Sequence, residues 1–227
     1  MSQHASLESP APGLRQHIPN SLTVLRLVLS AAFFATLNIF RYPDIGQFWG
    51  NIAIGMFVAA AITDALDGAL ARRWNVISTF GRIMDPFCDK ILVLGAFVYL
   101  AGPRFLMPTM DAEGAFFSMA TGVYPWMVVV IFARELLVTA IRGLVEGKGI
   151  SFPSKVSGKA KMILQSITIP IVMIFAINCH PSDHSWALWF NNVLVWLTVI
   201  VTIWSGLPYI TGLSPLLRQE TPTEPQS

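Results

Sequence analysis

The sequence predicts an all-α fold: an integral membrane bundle of six transmembrane helices with a short N-terminal cytoplasmic segment. Three observations carry that expectation. Of 227 residues, 54% are hydrophobic and only 12% charged, against about 25% charged in an ordinary soluble domain, and the mean hydropathy is +0.59. Six apolar stretches, at 21–40, 51–70, 83–100, 124–144, 162–178 and 186–210, reach or approach the roughly 20 residues that a helix needs to cross the hydrocarbon core. None alternates apolar and polar residues as barrel strands do, and open sheet edges cannot face lipid.

Residues 1–17 are polar and contain Pro10 and Pro12, so they read as a tail ahead of a membrane domain over 18–213. The first apolar run is too long for a signal peptide and lacks a small-residue cleavage site, which makes it a retained helix. Asn20 suits the start of that helix as a cap. With six spans both termini share one side. That side carries Arg15, Arg72, Arg73, Arg82, Lys90, Arg142, Lys148, Lys155, Lys159, Lys161 and Arg218, while the opposite side has Arg41 and Arg104. Basic loops stay in the cytoplasm, so the termini are expected there, in a cell (inner) membrane. Trp49, Trp126, Trp186 and Trp189 fall at the expected outer ends and Trp74 at an inner one, as tryptophans at water interfaces do. Residues 214–227 are polar with prolines and read as a disordered end.

The formal net charge of +2 and the lack of a basic run interleaved with aromatics leave no footprint for nucleic acid. Cys88 and Cys179 lie too far apart in sequence to suggest a disulfide framework. Cys179, His180, Asp183 and His184 crowd one outer loop, but Pro181 disrupts a helix there and no second ligand pair is evident. A solvated loop is the better reading of that cluster than a soft-metal site.

The chemistry is concentrated in TDALDGALARRWNVISTFGRIMDPFCDKI, residues 63–91. At about 100° per residue, Asp64, Asp67, Gly68 and Ala71 share one helical face, and Gly81, Asp85 and Asp89 form a stripe at steps of four. A short connection makes the two helices antiparallel neighbours, so the stripes lie at the same cytoplasmic end and can face one another. Four uncompensated carboxylates would repel and resist desolvation, and hard divalent cations answer that better than protons. All-oxygen ligation suits Mg²⁺, Mn²⁺ or Ca²⁺, and paired metals about 3.5–4 Å apart serve displacement at phosphorus. Gly68, Ala71 and Gly81 remove bulk where a phosphate-bearing substrate or the partner helix comes close.

The spacing Asp64-x2-Asp67-Gly68-x2-Ala71-Arg72-x8-Gly81-x3-Asp85-x3-Asp89 resembles the signature of the CDP-alcohol phosphotransferases. A chance match at all eight positions is on the order of one in 10⁸ when each residue type is used about one time in twenty. The resemblance implies six transmembrane helices, a homodimer, and transfer of a substituted phosphate from a CDP-linked donor to an alcohol hydroxyl, with CMP leaving. By position it implies metal ligation by Asp64, Asp67 and Asp85, with Asp89 combining metal contact and the general-base role. Two ions, Mg²⁺ or Mn²⁺, are the expected cofactors. Gly68, Ala71, Arg72 and Gly81 would border the nucleotide, with Asn20 and Thr23 as further hydrogen-bonding candidates. Cys88 reads as packing.

Three flanking stretches, Ile18-Pro19-Asn20-Ser21-Leu22-Thr23-Val24-Leu25-Arg26, Ala133-Arg134-Glu135 with Arg142, and Ser157-Gly158-Lys159-Ala160-Lys161, resemble the bacterial branch that joins CDP-diacylglycerol to sn-glycerol 3-phosphate. An acceptor that bears a phosphate dianion needs cations near the metals, and Arg134, Arg142, Lys159 and Lys161 are the candidates. The lysines also satisfy the positive-inside rule or touch anionic membrane lipids, and Arg134 has an internal ion pair with Glu135 as a competing role. Arg26 poses the same question. The rival within the family is a synthase that takes inositol phosphate or serine. An ion-coupled transporter would place its acids near the midplane on broken helices, rather than at one end of adjacent ones, and an intramembrane aspartate hydrolase needs only two acids.

Overall fold

The computed structural model describes residues 12–74, 79–107, 119–147, 156–181 and 184–218. Among them are six α-helices and no strand: α1 (Pro12–Leu37), α2 (Gln47–Trp74), α3 (Thr79–Leu100), α4 (Pro125–Gly147), α5 (Val156–Asn178) and α6 (Ser185–Arg218). Each expected span has its helix, but several helices run further than the apolar stretches. The first begins at Pro12 rather than near Ser21, and the last continues to Arg218, into the first residues of the expected tail, whose remainder lies outside the described residues. Apolar sequence marks the hydrocarbon core, whereas a helix can continue into the polar interface, where its side chains meet water. Proline suits the first turn, since its missing N–H would have no partner there. Asn20 therefore lies inside a helix and does not cap it.

Three helical stretches, Gln47–Leu66, Gly158–Asn178 and Ser185–Thr211, are long and apolar enough to cross a membrane by length and composition, and Ser21–Leu37 is a shorter apolar segment. The fourth helix carries Arg134, Glu135 and Arg142 within its length, more charge than a plain apolar span holds. Large apolar side chains such as Phe48, Val129, Leu136, Trp189 and Trp204 lie more than half exposed, as befits surfaces that meet lipid. The protein is a helical membrane protein.

The chain divides into two compact units, Met1–Ile39 with Phe48–Leu92, and Phe40–Gln47 with Val93–Ser227. In the first unit, α1 buries Thr23, Arg26, Ser30, Phe33 and Leu37, spaced by threes and fours along one face. The Phe33 and Phe57 rings meet at 5.6 Å, and the Thr36 hydroxyl lies 3.7 Å from the Met56 sulfur. Pairings of falling number on α2 against rising number on α1 make the two helices antiparallel.

In the second unit α6 packs on both α5 and α4. Gln165 donates to the Thr202 hydroxyl at 3.1 Å, the Thr168 and Thr198 hydroxyls share a 2.8 Å bond, and the Phe175 and Phe190 rings lie 4.9 Å apart, so α5 is antiparallel to α6. Trp126 meets Trp196 at 5.3 Å and Arg134 reaches Ser205, so α4 runs parallel to it. Where lipid cannot compete for hydrogen bonds, such polar pairs hold apolar helices in place. The loops gather at one end of this unit. Arg104 donates to the Phe40 carbonyl at 3.1 Å, Ala120 to that of Phe105 at 2.9 Å, Asn191 to that of Ala120 at 3.1 Å, and Gln47 to that of Ile177 at 3.1 Å. His180, in a left-handed conformation with φ 42°, places its Nε2 2.6 Å from the Asp44 carboxylate, a partner that its crowded loop sequence did not suggest.

Candidate active site

In the first unit the site begins from a buried arginine. Arg26 is fully buried, on the inward face of α1, and its Nη1 lies 2.7 Å from Asp64 Oδ1 on α2. A guanidinium is costly to bury without a partner, so the pair fixes both side chains. The Asp64 side chain keeps 30% of its surface exposed. Asp89 is half-buried on α3, next to the buried side chain of Cys88, which forms no disulfide, a placement that fits packing for the cysteine. Thr23, one turn before Arg26, is buried. Asp67, Gly68, Ala71, Arg72, Gly81 and Asp85 lie on the helical backbones of α2 and α3, and Asn20 on that of α1, with side chains outside the described residues.

The donors fit a hard divalent cation. Asp64 and Asp89 are both partly open to solvent, both offer only oxygen, and Arg26 balances Asp64 with a single charge. Arg26 grips one oxygen of Asp64 and leaves the other for a further partner, and among the described residues no group of three or more His, Cys, Asp or Glu side chains comes together.

In the second unit the candidate acceptor cations separate into classes that the sequence left together. Lys161 is buried and its Nζ lies 2.5 Å from Glu135 Oε1, whereas Lys159 is exposed. Arg134 Nη1 reaches the same Glu135 oxygen at 2.9 Å, and its Nη2 donates to the Ser205 carbonyl at 3.3 Å. Arg142 donates from Nη2 to the Tyr209 hydroxyl at 3.4 Å. The structure thus joins Arg134 and Lys161 through one carboxylate and holds Arg142 on a buried tyrosine. Glu135 was visible in sequence as a neighbour of Arg134, but its second partner, 26 residues on, was not. Nothing local marks Ser205, Gly206 or Tyr209, which sit in the apolar sequence of α6.

Fold and sequence together define a membrane-embedded helical protein with an acid signature of fixed spacing. The profile of the CDP-alcohol phosphatidyltransferases matches residues 16–204, and the chain belongs to that family of enzymes. Members of the family generally depend on divalent metal. Similar over most of their length are bacterial proteins named CDP-diacylglycerol–glycerol-3-phosphate 3-phosphatidyltransferase. The one from Bacillus subtilis is 27% identical over 86% of this chain and 94% of its own. That from Escherichia coli K12 is 28% identical over 86% and 94%, and that from Cereibacter sphaeroides 26% identical over 89% and 98%.

Proposed function

We propose that this enzyme makes phosphatidylglycerophosphate and CMP from CDP-diacylglycerol and sn-glycerol 3-phosphate, a step of phospholipid biosynthesis. It acts as a six-span homodimer of a bacterial inner membrane with termini and active site facing the cytoplasm. The observation that carries the reading is the eight-position acid signature within a family match over residues 16–204, in a chain that also keeps a buried arginine and lysine on Glu135. The names of the relatives support the choice of acceptor, and a phosphate-bearing acceptor suits the cations.

Asp64, Asp67, Asp85 and Asp89 hold two Mg²⁺ or Mn²⁺ ions. Bound there, such ions would supply positive charge for the pyrophosphate and for the oxygen of the departing CMP. Arg26 orients Asp64. Asn20, Thr23, Gly68, Ala71, Arg72 and Gly81 border the cytidine nucleotide, the small residues giving its phosphates a close approach. Arg134, Arg142 and Lys161 grip the acceptor phosphate, with Lys159 nearer the water. Asp89 accepts the proton of the acceptor hydroxyl as its oxygen forms a bond to the phosphorus that carries diacylglycerol. The bond from that phosphorus to the CMP oxygen breaks, and CMP leaves.

The test is turnover by purified protein in detergent with CDP-diacylglycerol and a panel of acceptors. Glycerol 3-phosphate should yield CMP and phosphatidylglycerophosphate only with Mg²⁺ or Mn²⁺ present, and chelation should stop the reaction. Product with serine or inositol phosphate and none with glycerol 3-phosphate would overturn the acceptor while leaving the class of reaction intact.

A further inference from the structure

Glu135 is an unusual residue to find in the middle of an apolar helix. Its side chain is 12% exposed, those of Arg134 and Lys161 are 9% exposed, and a single oxygen, Oε1, serves both cations. A purely structural ion pair inside a membrane protein matches one charge with one opposite charge, because every surplus charge costs desolvation. Here, among the described residues, the carboxylate faces two buried cations, and a third, Arg142, is held by a neutral phenol. One carboxylate oxygen is thus shared by two cations among the described residues. The Nε atoms of Arg134 and Arg142 are also buried without a hydrogen-bond partner among the described residues. Two guanidinium Nε–H donors left over in this way suit an anion with several acceptor oxygens, and a phosphate monoester carries close to two negative charges near neutral pH, with a second pKa of about 6.

The remaining contacts of Arg134 restrict where it can aim. Its Nη2 is tied to the Ser205 carbonyl, and its Cγ lies where a Cβ on Gly206 would approach to 3.3 Å. The α6 backbone is one wall of a slot and Glu135 the other. Without the carboxylate, the guanidinium and the Lys161 ammonium would repel one another and turn apart. We propose that Glu135 is a positioning and specificity-determining residue for the acceptor: it holds Arg134 and Lys161 in one orientation, in which their remaining donors meet the oxygens of a single phosphate. The proposal rests on the reading that Arg134, Arg142 and Lys161 bind the acceptor phosphate.

The experiment measures KM for glycerol 3-phosphate and for CDP-diacylglycerol separately in wild type, Glu135→Gln, Gly206→Ala and Arg142→Gln. Glutamine keeps the size and an acceptor oxygen but not the charge. Misplacement of binding groups by about 1 Å costs on the order of 100-fold, so Glu135→Gln should raise the acceptor KM roughly 10- to 100-fold and leave the KM for CDP-diacylglycerol within about twofold. A merely structural residue would move both constants, or kcat alone. Either of those results, or an unchanged acceptor KM, overturns the role of Glu135 if Arg142→Gln still raises the acceptor KM selectively. If Arg142→Gln also leaves that constant unmoved, the acceptor reading itself falls, and this proposal with it. Should Glu135→Gln fail to fold, Gly206→Ala decides. Its new methyl displaces Arg134 by a few tenths of an ångström without changing charge, so a selective rise in acceptor KM of about three- to tenfold supports the slot, and no rise overturns it.

Discussion

The two compact units handle buried charge in opposite senses. Among the described residues, the first sets a buried cation, Arg26, against the carboxylate of Asp64. The second sets an acid, Glu135, between two cations, Arg134 and Lys161. In each, among the described residues, one side chain holds a partner of opposite charge in place. Buried charge is costly in a low-dielectric surrounding, and under the proposed function each cluster serves a ligand of the opposite sign: divalent cations in the first unit, a phosphate in the second. What differs is the manner of holding. Arg26 pairs with a carboxylate that stays 30% exposed, whereas Glu135 and both its partners are nearly buried.

That contrast can be broken most forcefully from the acidic side. Asp89→Asn removes the proposed base and should lower kcat by about 10²–10⁴-fold while largely sparing nucleotide binding. Asp67→Asn should instead raise the metal concentration needed for half-maximal turnover. Wild-type turnover in both variants would reject the division of roles.

Next in size is the Arg26–Asp64 pair. Breaking a buried pair costs about 3–5 kcal/mol, and Asp64, being 30% exposed, recovers water when its partner goes. Arg26→Met should therefore destabilise toward the lower end of that range, read as a fall in the thermal denaturation midpoint in detergent. Adding Asp64→Asn should return part of the loss. A midpoint unchanged by Arg26→Met would show that the pair contributes nothing to the fold.

The smallest effect belongs to Tyr209→Phe, which removes a neutral partner at 3.4 Å from Arg142. A hydrogen bond of this kind contributes about 0.5–1.5 kcal/mol. The acceptor KM should rise no more than about tenfold, with the KM for CDP-diacylglycerol unchanged.

Much of the fold was legible because the bilayer imposes one dominant rule: apolar stretches of sufficient length become helices. All six stretches did so. Helix ends were less legible, as at Pro12 and Arg218, because hydropathy reports where lipid begins and says little about where backbone hydrogen bonding stops. The spacing of the acids, at steps of three and four that share one helical face, falls on the α2 and α3 helices as expected. The cations were not separable in the same way. Lys159 and Lys161 are both basic and two positions apart, yet about 200° of helix rotation sends one to solvent and the other to Glu135. The signal that distinguishes them is the buried run Lys161, Gln165, Thr168, Val172 and Ala176 along α5, an inward stripe that is partly polar and so escapes a search for apolar periodicity. Glu135 announced itself as a charge in an apolar helix, but a partner 26 residues away requires the tertiary fold. Tyr209 and Gly206 gave no sign at all, because their function lies in what α4 brings against them.

The ring contacts near the start of α6 have a consequence for its other end. This helix is apolar on nearly every side, so hydrophobicity alone leaves its rotation about its own axis weakly determined. Trp126 against Trp196 and Phe175 against Phe190 act as an index mark, setting the phase in which Ser205, Gly206 and Tyr209 arrive opposite the arginines. One residue inserted between Trp196 and Ser205 would turn that seat through about 100° while every cation stayed in place. The seat of the two arginines is in this sense kept by aromatic rings some two helical turns and more away, which never touch it.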